Sequence, residues 1–192
     1  MMPEIKGTRT EQNLLKAFAG ESQARSRYTY YAEKAADEGY QRIADIFLET
    51  AENELEHARV FFDWLAGGMV EITASYPAGP VGTTPENLAA AADGEHEEWA
   101  ELYPEFARIA ESEGLKDIAR AFKMVAKVEQ EHENRYRALR DVVAREQVFA
   151  KDAPVRWKCR VCGYIHTSTK APAECPTCAA PREEFEVDCP SW

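Results

Sequence analysis

The chain has 192 residues, 45% of them hydrophobic and 30% charged, with a formal net charge of −11. A chain of this kind builds one medium core and a small further module, and is not a disordered polymer. The acidic balance excludes a nucleic-acid binder, which needs a basic face.

The N-terminal stretch MMPEIKGTRTEQ has no apolar segment of the secretory kind. No run of about 18 apolar residues offers a membrane span. A cytoplasmic protein with no membrane partner is therefore expected. A first helix is predicted from Thr10 to about Glu38, where Leu14, Leu15, Phe18, Ser22, Arg25 and Tyr28 to Tyr31 keep a helical rhythm without proline. Thr8 or Thr10 can cap its start, and Gly39 stands where a helix-ending glycine belongs. Gly20 costs such a helix about 1 kcal/mol relative to alanine, so the close approach of a neighbouring helix is expected there. A second helix runs from about Gln41 to Ala66 and stops at Gly67-Gly68. Met69 to Pro85, rich in proline, glycine and threonine, is a connection. It exceeds the usual bundle loop of about two to eight residues, as a crossover between parallel neighbours would.

The third helix opens at Thr84-Pro85-Glu86 and continues to about Glu113, with a kink or break near Tyr103 imposed by Pro104. The fourth runs from about Leu115 to Arg145. Residues 1–147 are thus expected to form one domain, 148–156 a linker, and 157–192 a second domain in which short segments and cysteines replace helical periodicity.

The second and fourth helices repeat one another. Ile43 to His57, IADIFLETAENELEH, matches Ile118 to His132, IARAFKMVAKVEQEH, at an offset of 75 residues. The repeat keeps Glu54 with Glu129, Glu56 with Glu131 and His57 with His132, and Glu38-Gly39 recurs as Glu113-Gly114. Residues at i and i+3 share a helix face, so Glu54 with His57, Glu129 with His132, and Glu95 with Glu98 can each present two donors to one point. Glu21 adds a lone carboxylate. The spacing from Glu21 to Glu54 is 33 residues and from Glu95 to Glu129 is 34, the one residue of slack being assigned to the turn between helices. One Glu from each of two helices and Glu-x-x-His from each of two others is the ligand pattern of a dinuclear iron or manganese site in a ferritin-like four-helix bundle. Without cations, so many carboxylates converging on a core would be strongly disfavoured. Glu56 and Glu131 face about 100° away and pair with other charges or hydrogen-bond behind the ligands, and His96 faces solvent by the same geometry. Tyr28 and Tyr103, about two turns past Glu21 and Glu95, are either core tyrosines or hydrogen-bond partners of the ligands.

Cys159-x-x-Cys162 and Cys175-x-x-Cys178 read as a tetrathiolate for zinc or a single iron. In a chain without an export signal this indicates a reducing compartment. Trp157, Tyr164 and Phe185 are expected to form a small aromatic core around it. His166 is placed on a loop and not among the ligands, and Cys189 has no assigned role.

These motifs together resemble the rubrerythrin family: AFAGESQAR around Glu21, the doubled Glu-x-x-His, GEHEE around Glu95 and Glu98, and CRVCGY with CPTC, the last two being similar to rubredoxin. The resemblance implies a non-haem diiron peroxidase that reduces hydrogen peroxide to water and protects against oxidative stress, with iron in the tetrathiolate. It implies one iron held by Glu21, Glu54, Glu129 and either His57 or Glu98, and the other by Glu54, Glu95, Glu129 and His132, with Glu54 and Glu129 bridging. Glu54, Glu129, Glu98, His57, Tyr28 and Tyr103 are then the catalytic candidates. Electrons return through the Fe(Cys)4 centre from rubredoxin or an NAD(P)H-dependent reductase, since the chain has no glycine-rich dinucleotide motif. A head-to-tail homodimer is expected, because the fourth helix carries the cysteine module roughly 20 Å past His132. Zinc in either site, a ferritin-like ferroxidase, and a regulatory protein with a zinc ribbon are the alternatives.

Overall fold

The computed structural model describes residues 4–189, so residues 1–3 and 190–192 at the ends of the two expected domains lie outside the described part. Helices α1 (Arg9–Asp37) and α2 (Gln41–Phe62) form one hairpin. A long crossover leads to α3 (Thr84–Glu97), which passes through a π-helical turn (Glu98–Leu102) into α4 (Tyr103–Ser112). Helix α5 (Lys116–Ala144) returns beside α3 and α4. The architecture is the expected ferritin-like bundle, with the third helix divided near Pro104. Among the described residues no helix is long and apolar enough to cross a membrane.

The two hairpins are built alike. Each first helix ends on a glycine with positive φ, Gly39 at 83° and Gly114 at 79°. In each turn the next two N–H groups bond back to the closing carbonyls, from Gly39 and Tyr40 to Ala36 and Ala35, and from Gly114 and Leu115 to Glu111 and Ala110. The glutamate before each glycine caps the other hairpin. Glu38 accepts from the N–H of Thr84 at 2.9 Å, at the start of α3. Glu113 accepts from the N–H groups of Arg9 and Thr10, both at 3.0 Å, at the start of α1. Burial raises both carboxyls, but Thr84 and Thr10, with cations nearby, outweigh it and leave both pKa values lowered. Of the two candidate caps, Thr8 is the one that accepts from the helix, through the Glu11 N–H at 3.1 Å, while Thr10 donates to Glu113.

Two aromatic clusters repeat at the same offset. Tyr28, Phe47 and Tyr136 pack at one end of the bundle, and Tyr103, Phe122 and Phe61 at the other. Both are fully buried.

The structure departs from expectation in the slack residue. Glu21 precedes Tyr28 by seven residues, whereas Glu95 precedes Tyr103 by eight. The extra residue sits in the π-helical turn and not in the loop between helices, and the Tyr103 N–H reaches the Glu98 carbonyl across it. Pro104 lacks an N–H and starts the helix that follows. Gly20 has two neighbours: the expected helix, through the Glu98 side chain of the π-helical turn, and also the ring of the crossover residue Tyr76. Helix α2 ends at Phe62, before the expected Ala66, as its last turn loosens toward Gly67 and Gly68.

The C-terminal module is a sheet of order β2-β1-β3, with β1 (Ala150–Cys159) antiparallel to β2 (Ile165–Lys170) and β3 (Phe185–Val187). The expected linker 148–156 is therefore mostly strand, since β1 begins at Ala150 and Val155 and Arg156 already pair with Ser168 and Thr167. His166 lies on β2 opposite Trp157, not on a loop. Trp157 and Phe185 are buried with Tyr164 packed against them.

Replacing either crossed capping glutamate, Glu38→Ala or Glu113→Ala, should cost about 1 kcal/mol, as loss of a helix cap does. Urea unfolding of the metal-free variants followed by circular dichroism measures this, and each should lower the midpoint without changing the slope.

Candidate metal centres

The bundle brings two overlapping ligand groups together. Glu21, Glu54, His57 and Glu129 form one, and Glu54, Glu95, Glu129 and His132 the other, each with one donor atom per residue mutually within 4.8 Å. Glu54 and Glu129 belong to both. The repeated Glu-x-x-His places each carboxylate and imidazole one turn apart on the inner face of α2 or α5. Nδ1 of His57 lies 2.8 Å from both Glu54 and Glu129. Nδ1 of His132 lies 2.8 Å from Glu129, 3.2 Å from Glu54 and 3.9 Å from Glu95. All six residues are buried.

The donor set fits a pair of cations. Glu21 Oε2, Glu54 Oε1, both carboxylate oxygens of Glu129 and Nδ1 of His132 are buried without a hydrogen-bond partner. Several lie within bonding distance of one another, yet lack the alignment a hydrogen bond requires. Buried acceptors aimed at a shared point are costly unless a cation sits there. Carboxylate oxygen with imidazole nitrogen suits iron or manganese.

The electrostatics agree. Burial, then Glu129, Glu98 and Glu54, pushes the Glu21 carboxyl well up, and burial with Glu54 and Glu129 does the same to Glu95. Burial would raise Glu54 too, but His132 and His57 outweigh it and hold it low. Burial would lower the imidazoles, but Glu129 and Glu54 bring His57 up to about 10 and His132 to about 9. Without cations, protons do the neutralising.

The tyrosines prove to be hydrogen-bond partners, and they cross. Tyr28 on α1 donates to Glu95 on α3 at 2.5 Å, and Tyr103 on α4 donates to Glu21 on α1. Each phenol fixes one carboxylate oxygen; on Glu21 this leaves Oε2 buried and free, and on Glu95 the oxygen that Tyr28 holds is the one 3.9 Å from His132.

Glu98 stands in neither ligand group. It opens the π-helical turn, is partly exposed, and is pushed up chiefly by burial and then by Glu129 and Glu54. Glu56 pairs with Arg59 on the surface, and Glu131 is exposed. His96 is half exposed as expected, but it also contacts Glu133 at 3.0 Å.

Glu133 is a buried residue the sequence reading did not single out. It also accepts from Trp99 and Arg137. Arg135, which reaches Thr50 and Glu49 across the α2–α5 seam, was likewise not singled out. Neither has a counterpart in the repeat, where Ala58 and Val60 stand, so periodicity carried no signal for them.

The four thiols converge at the end of the sheet. Cys159 Sγ lies 3.8 Å from Cys178, and Cys162 lies 3.6 Å from Cys175. These separations are far beyond a disulfide and suit a shared ion. Burial would raise the Cys175 thiol, but the N–H groups of Thr177 and Cys178 bring it down to about 7. Backbone N–H groups aimed at sulfur are what a metal thiolate uses. Cys189 is exposed and outside the cluster.

The module rests on the α1–α2 turn. Arg160, next to Cys159, pairs with Asp45, Arg42 pairs with Glu186 at 3.6 Å, and Tyr40 stacks on Phe149.

Fold and sites together define a ferritin-like diiron-carboxylate protein with an attached four-cysteine, rubredoxin-like centre. The family model described as Rubrerythrin matches residues 12–140, and one described as Rubrerythrin, rubredoxin-like domain matches residues 157–186. The chain belongs to the rubrerythrin family. It is 59% identical over 186 residues to rubrerythrin of Porphyromonas gingivalis, covering 97% of this chain and 93% of that relative. It is 48% identical over 191 residues to rubrerythrin of Nitratidesulfovibrio vulgaris, covering all of both chains. Among solved structures it is similar to fully reduced, all-ferrous nigerythrin, with a TM-score of 0.63 and 30% identity over 96% of this chain and 91% of that one.

The raised imidazoles set the pH dependence of the metal-free protein. Their stabilisation is complete below an unfolded-state pKa of about 6.5. It is lost as the pH rises through about 9 for His132 and about 10 for His57. Glu21 and Glu95, also raised, act in the same direction. Bound iron replaces those protons. Thermal unfolding should therefore fall between about pH 7 and pH 10 for the metal-free protein and stay level for the loaded protein. Calorimetry across that range would show the gap widening.

Proposed function

We propose that this protein is a peroxidase that reduces hydrogen peroxide to water in the cytoplasm, as a defence against oxidative stress. The observation that carries the proposal is one chain joining two overlapping carboxylate–imidazole groups to a tetrathiolate. A two-electron site beside a one-electron carrier suits repeated reduction of a two-electron oxidant. In this reading the bundle of residues 1–147 carries the chemistry and the module of residues 157–192 supplies electrons.

Glu54 and Glu129 would bridge, Glu21 and His57 would complete one iron site, and Glu95 and His132 the other. Glu98 would be an alternative ligand to His57. The irons, when bound, supply the two electrons that, with two protons, convert hydrogen peroxide to two waters. Tyr28 and Tyr103 each hold one oxygen of Glu95 and Glu21, which fixes both carboxylates beside the group and leaves Glu21 Oε2 free. Phe47 and Tyr136 on one side, and Phe61 and Phe122 on the other, exclude water from the group. The all-ferrous state described for nigerythrin supports iron as the working metal.

Electrons would come from rubredoxin or an NAD(P)H-dependent reductase and enter through the tetrathiolate. The module docks at Asp45, nine residues before Glu54. That is roughly 14 Å along the helix axis before the ligands begin. A head-to-tail homodimer would bring each tetrathiolate to its partner's diiron site instead. A ferroxidase, the nearest rival, has no use for the attached one-electron centre.

Glu54→Ala or His132→Ala should abolish peroxide turnover, yet leave the red ferric-thiolate spectrum intact. Loss of both together would contradict two independent sites, and a colourless protein would indicate zinc at the thiolates. Sedimentation analysis checks the assembly: a strictly monomeric protein with full turnover would rule out the dimer route.

A further inference from the structure

Between α1 and the π-helical turn lies a cavity of about 280 Å³, covered by crossover residues 73–77. It is open because two glycines face it. Gly20 and Gly94 immediately precede Glu21 and Glu95. A Cβ on Gly20 would stand 3.6 Å from the Tyr76 ring and 3.9 Å from Glu98 Oε1, and one on Gly94 would stand 3.7 Å from Arg27. The inner end of the cavity is formed by Glu98 and by Tyr103, whose hydroxyl holds Glu21. The outer wall is Tyr76, whose hydroxyl donates to the Lys16 carbonyl at 2.8 Å. The residues around Tyr76 are exposed and carry no regular secondary structure.

A hydrogen peroxide molecule needs little more room than a water, whose share of the liquid is about 30 Å³. The cavity is several times larger, so its wall, not its volume, limits what passes. We propose that this cavity is the access chamber through which a small neutral hydroperoxide reaches the metal group on its Glu98 side. Tyr76 is the residue that sets the largest organic substituent admitted. This rests on the peroxidase reading, whose own failure the following test separates.

The iron-loaded protein is reduced and mixed with hydrogen peroxide or with cumene hydroperoxide, and reoxidation is followed optically. Tyr76→Ala should speed the cumene hydroperoxide reaction about tenfold and leave the hydrogen peroxide reaction within about twofold, as removal of a steric wall does. Gly20→Ala, which the contacts accommodate, should slow the bulky substrate further. Azide association with the oxidised protein gives a readout without turnover. In Tyr76→Ala its on- and off-rates should rise together with Kd unchanged, the signature of a wider passage and not of an altered site. Equal substrate ratios in wild type and Tyr76→Ala, or azide rates that do not respond, overturn the chamber. A wild type inert to both hydroperoxides, with azide rates that do respond, overturns the peroxidase reading and keeps the chamber as a passage for small molecules.

Discussion

Carboxylates and imidazoles that water would hold apart meet in the helical interior, with several oxygens left without hydrogen-bond partners. Burying uncompensated acids costs several kcal/mol each in a low-dielectric interior. The rest of the bundle makes that arrangement tolerable. Aromatic clusters at either end supply the buried apolar area, crossed glutamates fasten each hairpin to the other's first helix, and two tyrosines each satisfy one oxygen of a carboxylate. What remains unsatisfied is satisfied by cations, which also absorb part of the formal charge of −11.

The two halves share one plan, and they differ on the side where Glu98 lies. The single extra residue between Glu95 and Tyr103 is taken up as a π-helical turn, a form of helix frequent at functional sites. It puts Glu98 on the edge of the metal group, at a position whose counterparts in the first half are the non-acidic Gln23 and Ala24. The glycines before Glu21 and Glu95 leave a gap on the same side. The aromatic clusters thus close the two ends of the site, while its Glu98 side borders a cavity.

The cysteine module is a separate solution to metal binding, in which a few backbone N–H groups and a small aromatic core hold four thiols together. It is attached to the α1–α2 turn by charge pairs and one aromatic stack, contacts that are mostly polar and partly exposed. Such an attachment is weaker than the packing within either unit, since exposed ion pairs contribute at most about 1 kcal/mol.

Much of this was legible in the chain alone. The offset repeat of Glu54 and His57 as Glu129 and His132, and the paired C-x-x-C motifs, pick out the groups that converge because helical and knuckle geometry are local: spacing alone places donors on one face or around one turn. Tertiary structure decided the rest. Only packing could show that Tyr28 serves Glu95 and Tyr103 serves Glu21, because each bond crosses between helices. Only packing could move the slack residue from a loop into the π-helical turn, turn an expected linker into β1, and set Tyr76 against Gly20. Those outcomes depend on which distant surfaces meet, and periodicity along one element carries no record of its neighbours.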